Sequence, residues 1–410
     1  MAIPVQALET AHPAAGQTAR LIADADRSVM FIVNRPAKVF VRGKGSYLWD
    51  AEGKRYLDFI QGWAVNCLGH SPPAVVRAVT RQAKQLLNAS PALHNEPMIE
   101  LATALAAHSA LQRVFFANSG AEANEGALKL ARKYGKVKRN GAFEVVTAWH
   151  SFHGRTLAMM TASGKTNWDT LFEPKVPGFV QVPFNDLGAL RKAITPRTCA
   201  VMLEPVQGEA GVFVADKKYL QGVRELCNET GVLLILDEIQ TGMGRCGALF
   251  AYEQYGIEPD IMTLGKGLGG GLPVSALLAK EAVSLFEPGD QGGTFCGQPI
   301  AMAAAKAVLD EMLRKNIPRR AKSRGNTLKR RLKELAGEFG FTDVRGLGLL
   351  LAVDLPVEKG ADVVNAALER GLLLNAPRPN TLRFMPALTV SNAEIDEMIE
   401  TLRAVLKQVL

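Results

Sequence analysis

The chain has 410 residues, 48 Lys and Arg against 40 Asp and Glu for a net charge of +8, and 48% apolar residues. That composition is ordinary for a globular protein and excludes a disordered chain, while the length suits two or three domains at about 150 residues each. No run approaches the roughly 18–20 apolar residues that span a bilayer, so no membrane partner is expected.

In chain order, residues 1 to about 16 mix Ala, Pro, Gly and Gln without periodicity and read as a flexible arm. They hold no Lys or Arg and carry Glu9, which fits neither a secretory signal nor an Arg-rich transit peptide. Short strands are expected at Val39–Val41, Tyr47–Trp49 and Arg55–Phe59, separated by Gly-containing turns. From about residue 72 the texture becomes alternating strand and helix. Apolar strands are expected at Val114–Ala117, Phe143–Ala148, Cys199–Leu203, Val232–Leu236, Asp260–Leu264 and Ala276–Ala279. Helices lie between, among them 121–134, stopped by Gly135, and Lys217–Thr230. Continuous apolar strands imply burial on both faces, as in a parallel sheet covered by helices. After about residue 315 a Lys/Arg-rich helix (319–338), strands near 347–355, 371–374 and 381–385, and a last helix at about 391–409 suggest a second, α+β domain.

The five cysteines (67, 199, 227, 246, 296) are odd in number, widely spaced and free of CxxC pairs. They argue against a disulfide framework and for a reducing cytosol. The short basic runs lie among ordinary helical patterns, which reads as solvated helix faces rather than a nucleic-acid stripe.

Four stretches carry chemistry at little benefit to packing. Asn118-Ser119-Gly120-Ala121-Glu122 follows a strand and opens a helix, where exposed N–H groups suit a phosphate as well as they suit an ordinary cap. Val232-Leu-Leu-Ile-Leu-Asp237-Glu238 delivers two acids to a strand's C-terminal end, the edge where open α/β sheets bind ligands; a carboxylate there needs a cation or a structural partner. Gly265-Lys266-Gly267 places a lysine at the same edge, where a partly dry site makes it a usable nucleophile. His150-Ser151-Phe152-His153-Gly154-Arg155 offers a flat ring and an anion-binding arginine. The two histidines have no third ligand at sensible spacing, so no metal is expected. Ser163-Gly164-Lys165-Thr166 imitates the end of a P-loop, but the leading glycine would fall at Met159. A phosphate cradle, an acid, a lysine and an aromatic ring at one edge match the needs of pyridoxal phosphate (PLP).

Several stretches bring the sequence close to a known family: Gly62–His70, Asn118–Glu125, Ser151–Thr156, Leu203–Glu209, Asp237–Gly242, Gly265–Gly267 and Gly293–Phe295. Through them it resembles the class III (ornithine-type) aminotransferases of PLP fold type I over about residues 30–405. The resemblance implies a large domain (72–314) with a mostly parallel seven-stranded sheet, and a small domain built from both chain ends (17–71 and 315–410). It implies that Lys266 carries PLP covalently and moves the proton, and that Asp237 keeps the pyridine nitrogen protonated. Phe152 would stack on the ring and Gln240 lie beside its hydroxyl. Ser119, Gly120 and Ala121 would hold the phosphate, with Thr294 from the second subunit of a homodimer. Arg155 would take the substrate's distant carboxylate and Arg383 the one beside the reacting carbon, with Glu204 as the gate that pairs with Arg383. The implied reaction moves a terminal amine to 2-oxoglutarate. Its donor would be N2-acetylornithine or, in other members, succinylornithine, N-succinyl-diaminopimelate or ornithine. Cys296 and Gln298 stand where the family carries Gly and Asn, Ala210 where it carries Gly, and Cys246 where it carries Thr. The competing readings are a PLP decarboxylase or mutase of the same fold and a basic nucleic-acid-binding protein.

Overall fold

The structure, a computed structural model, describes residues 16–410, so the arm expected over 1–16 lies outside the described residues apart from Gly16. A surface helix, Gln17–Ser28, comes first; it has no buried residue and no sequence signal pointed to it. The strands β1 (Phe40–Lys44), β2 (Tyr47–Asp50) and β3 (Arg55–Asp58) form the expected antiparallel meander.

The central layer is a sheet built from β4 (Arg113–Ala117), β5 (Glu144–Ala148), β6 (Phe179–Val182), β7 (Thr198–Leu203), β10 (Leu233–Asp237), β11 (Ile261–Leu264) and β12 (Ser275–Ala279). A two-residue-strand hairpin, β8 (Val206–Gln207) and β9 (Phe213–Val214), interrupts the series after β7. The sheet order is β4-β12-β11-β10-β7-β5-β6, and β12 alone runs antiparallel to its neighbours. Every residue of β7, β10, β11 and β12 is buried. Val201, Leu203, Leu234, Leu236, Met262 and Leu264 enter one core, while Ala200, Met202, Leu233, Ile235 and Ile261 enter another. That alternation is the strand's period of two read on a sheet covered on both faces. The strand that the sequence pattern does not reveal is β6: Gln181 breaks its apolar run, and at the sheet edge only Val182 is buried.

The helix after β4 runs Gly120–Lys138, past the expected stop at Gly135. Gly135 is there for a close approach: a Cβ on it would sit 1.8 Å from the Ala142 carbonyl oxygen. The chain leaves the helix later, through Asn140 (φ 51°) and Gly141 (φ 83°).

The C-terminal region forms a second sheet, ordered β13 (Asp343–Leu347), β14 (Leu350–Asp354), β17 (Thr381–Phe384), β16 (Asn375–Arg378). The expected strand near 347–355 is half of a hairpin; Gly346 (φ 122°) and Gly348 (φ 55°) turn the chain between β13 and β14. The expected strand near 371–374 joins the other sheet: β15 (Leu372–Leu373) pairs parallel with β3 and ties the two chain ends together. Helices Ile317–Phe339 and Asn392–Val409 pack beside this region. Among the described residues no helix is long and apolar enough to cross a membrane.

Candidate active site

Because β12 alone is reversed, the C-terminal ends of β4, β5, β7, β10 and β11 all open on one edge of the sheet. The loops there enclose a cavity of about 240 Å3 lined by Gly120, Ala121, Phe152, Arg155, Glu204, Glu209, Asp237, Gln240 and Lys266, among others.

At one end stands the start of the helix Gly120–Lys138. Ser119 and Glu122 form a capping box: Ser119 Oγ accepts from the Glu122 N–H at 3.3 Å, and Glu122 Oε2 accepts from the N–H groups of Asn118 and Ser119 at 2.7 and 2.8 Å. First-turn N–H groups have no intrahelical partner, and those of Gly120 and Ala121 stand beside the cavity. Gly120 has no room for a side chain, since a Cβ would lie 2.8 Å from Ile239. The result is a compact anion cradle with the positive end of a helix behind it. Ser119 is exposed just outside this lining, and Thr294 is exposed and away from this chain's own cavity.

Asp237 ends β10 and is 3% exposed. Its Oδ2 accepts from Asn124 Nδ2 and pairs with His153 Nδ1, both at 2.8 Å, and its Oδ1 accepts from the Ile239 N–H at 3.0 Å. Asn124 is itself fixed by Thr263 Oγ1 at 2.7 Å. The adjacent acid turns away: Glu238 accepts from the N–H groups of Ala251 and Tyr252 and holds a loop. Burial pushes the Glu238 carboxyl up to about 7. Lys266 follows β11 with a left-handed backbone, φ 42°, a conformation that costs a non-glycine residue and recurs at functional sites. Burial draws its ammonium below the ordinary lysine range, although Glu209 pulls the other way.

Phe152 borders the cavity, and its N–H donates to Glu204 Oε2 at 2.9 Å. Its ring meets Trp168 edge-on, with centroids 6.0 Å apart. His153 is buried; burial opposes its protonation, but the Asp237 carboxylate raises its pKa overall. Arg155 lies at the mouth, its guanidinium 5.9 Å from the Phe152 ring and 5.3 Å from that of Trp168.

The second arginine comes from the other sheet. Arg383 on β17 is 0% exposed, and its Nε donates to Asn375 at 2.9 Å. Its Nη1 donates to the Gly208 carbonyl at 2.9 Å and to Glu209 Oε1 at 2.7 Å. The expectation that Glu204 pairs with Arg383 is therefore corrected: the partner is Glu209. Glu204 follows β7 directly and is held under the Phe152 loop, whereas Glu209 sits in the β8–β9 turn that reaches toward the C-terminal sheet. Glu209 also accepts from Gln240 Nε2 at 3.2 Å. Gly208 makes room for that amide, because a Cβ would fall 1.5 Å from Gln240 Oε1. At this site, among the described residues, three buried polar atoms, His153 Nε2, Gln240 Oε1 and Arg383 Nη2, are left without partners.

Sequence reading did not single out Glu209, Asn124, Trp168 or Trp63, and gave His153 no role. Trp63 lies 5.5 Å from the Arg383 guanidinium. It sits in a run of left-handed residues, Gln61 to Ala64 with φ of 50–67°.

These donors suit PLP by their chemistry: an anion cradle for its phosphate, a buried carboxylate for its ring nitrogen, an amine for its aldehyde and an orphaned Gln240 oxygen for its hydroxyl. When bound, PLP acts as an electron sink for the substrate carbon.

Comparison with known proteins gives the class. A model of the class-III aminotransferases matches residues 32–406, and the chain belongs to that family of PLP-dependent enzymes. Its relatives include an acetylornithine aminotransferase of Ralstonia nicotianae, 55% identical over 93% of this chain and 97% of its own. Among solved structures, acetylornithine aminotransferase from Elizabethkingia anophelis superposes with a TM-score of 0.86 at 33% identity, covering 95% of this chain and 99% of that one. Ornithine aminotransferase from Toxoplasma gondii superposes at 0.92 and 33% identity, covering 96% and 94%.

Proposed function

We propose that the enzyme transfers the δ-amine of N2-acetyl-L-ornithine to 2-oxoglutarate, giving N-acetyl-L-glutamate 5-semialdehyde and L-glutamate, a step of arginine biosynthesis. The observation that carries this reading is the Glu209–Arg383 pair. A δ-amine donor brings no carboxylate next to its reacting carbon, whereas 2-oxoglutarate brings one. One cavity must therefore cover a buried cation in one half-reaction and expose it in the other. Glu209 covers it at rest, and Arg383 Nη2 has no partner of its own. The names of close relatives support the same donor.

In this reading Lys266 carries PLP and moves the proton at the reacting carbon, and Asp237 keeps the ring nitrogen protonated. Phe152 covers the ring, Gln240 meets its hydroxyl, and Ser119, Gly120 and Ala121 hold the phosphate. Arg155 takes the distant carboxylate of either substrate. A homodimer completes the cradle with Thr294 of the second copy. The exposed apolar side chains of Met30, Phe31, Ile32, Trp63, Leu87 and Phe295 support that assembly. The proposed setting is the cytoplasm.

The test is a panel of amine donors with 2-oxoglutarate, reading glutamate formed, for the parent enzyme and Lys266→Ala. Acetylornithine should be among the best donors. Lys266→Ala should lose several powers of ten, since positioned acid–base catalysis alone contributes ~10²–10⁴. Borohydride should no longer fix PLP to the peptide containing residue 266. Activity near the parent level, or fixation on a different lysine, would overturn the assignment.

A further inference from the structure

Lys266 and Arg383 come from different sheets, one just after β11 and the other on β17. In the proposed reaction 2-oxoglutarate must meet both at once, its keto carbon at the amine and its neighbouring carboxylate at the guanidinium. Such positioning tolerates little error, since a displacement of about 1 Å can cost ~10² in rate. Arg245 stands where one sheet is fixed against the other. It lies in the loop that follows β10 and is 2% exposed. Its Nη1 donates to the carbonyls of Leu349 at 3.0 Å and Pro386 at 2.6 Å, and its own carbonyl accepts from the Leu349 N–H at 3.0 Å. Leu349 precedes β14 and Pro386 follows β17, two strands that pair antiparallel with Leu351 opposite Phe384. Arg245 thus closes the end of the ladder that carries Arg383. Gly348 lets the turn come this close, because a Cβ on it would lie 2.5 Å from the Arg245 carbonyl oxygen.

Burial draws the Arg245 guanidinium down to about 10, so it keeps its charge at neutral pH. Among the described residues no carboxylate pairs with it, and its Nη2 has no partner. A charge buried without a counter-charge is costly, and a well-packed apolar side chain is often no less stable in its place. Stability alone therefore does not account for the arginine. Cys67 carries the tie on to the lysine. Its Sγ donates at 3.0 Å to the carbonyl of Gly267, the residue after Lys266, and its own carbonyl accepts from the Leu388 N–H at 2.8 Å. Burial pushes the Cys67 thiol up to about 12, so it stays protonated and able to donate. The Met385 N–H donates to the Phe59 carbonyl at 2.8 Å, so the segment leaving β17 is held at Met385, Pro386 and Leu388. We propose that Arg245 is a positioning residue: with Cys67 it locks the exit of β17 to the Lys266 loop and so sets the spacing between Arg383 and Lys266 on which 2-oxoglutarate depends. The proposal rests on the aminotransferase reading above and adds to it a residue outside the cavity lining.

The experiment measures the two half-reactions, with 2-oxoglutarate and with acetylornithine, by stopped flow in the PLP-loaded parent, Arg245→Met and Arg245→Lys. A misfolded fraction lowers both halves alike and drops out of their ratio. The 2-oxoglutarate-to-acetylornithine ratio of kcat/KM should fall about tenfold in Arg245→Met, the effect of a displacement of less than about 1 Å. Arg245→Lys, whose ammonium can still reach one of the two carbonyls, should keep more of the ratio than Arg245→Met. A double-mutant cycle separates positioning from general support. With Arg383→Leu already in place, Arg245→Met should leave the ratio nearly unmoved, because the spacing no longer matters. Amide exchange at Met385 and Leu388 of the PLP-free protein, which involves no catalysis, should quicken in Arg245→Met. Equal losses in both halves, a tenfold fall that persists beside Arg383→Leu, or unchanged exchange at both amides would overturn the positioning role. A ratio unmoved by Arg383→Leu alone would overturn the assignment of Arg383 instead, and the role of Arg245 with it.

Discussion

The inner and outer ends of the cavity each present a glutamate, five positions apart in the chain, and the two behave oppositely. At the inner end Glu204 is buried beside Asp237, and burial lifts its carboxyl to about 7 although His153 pulls it down. At the outer end burial also works against Glu209, but Arg383 and Lys266 prevail and hold it down at about 2. One residue type on one connecting segment is thus set toward the neutral form in one place and firmly anionic in the other. Burial pushes both carboxyls up, and the neighbouring cations reverse the sign only at Glu209, which is also the less enclosed of the two. Of the two, Glu209 is the one that lies against an arginine, its Oε1 2.7 Å from Arg383 Nη1, and it is the one proposed as the gate.

The strongest way to break this contrast is to remove the cation. In Arg383→Leu the half-reaction with 2-oxoglutarate should lose about 10²–10³ in kcat/KM, because stripping one partner from a buried pair costs roughly 3–5 kcal/mol. Stopped-flow measurement of each half-reaction separately should find the acetylornithine half much less affected. Equal losses in both would make Arg383 a structural cation.

A milder change tests the cover itself. With Glu209→Gln the amide cannot neutralise Arg383, so 2-oxoglutarate should react as well or better. Glutamate should then gain on acetylornithine as donor by about 10–10² in relative kcat/KM. Glu204→Gln should leave that ratio nearly unmoved, and a shift as large as that of Glu209→Gln would erase the distinction between the two ends.

The smallest expected effect is one of pH. A carboxyl whose folded pKa is raised binds its proton more tightly in the native state. Its contribution to stability is therefore greatest below the unfolded value near 4.5 and declines as pH climbs toward about 7. Thermal unfolding of the PLP-free protein should show a shallower decline over that range in Glu204→Gln than in the parent, with Glu238 supplying the remainder. Glu209 has the opposite sign: its contribution is present above about 4.5 and is lost only as pH falls toward 2. An identical pH slope in the parent and Glu204→Gln would mean that residue 204 is already ionised.

The amino-acid sequence by itself determined the buried parallel sheet and the edge on which the site lies. Strands apolar on both faces, such as those ending at Asp237 and before Lys266, can carry their polar residues only at their ends. The order of an anion cradle, ring, acid and lysine along the chain followed from the same rule. Tertiary structure alone decided which acid faces the cavity. Asp237 and Glu238 are adjacent, and their fates separate only because the Ala251–Tyr252 backbone is there to take the second. It also decided the partner of Arg383, which meets Glu209 across 174 positions of sequence because β17 and the β8–β9 turn come together. It placed β15 with β3 and left β6 as an edge strand. An ion pair of that separation depends on how two sheets are set against each other, and no local pattern of residues records that arrangement.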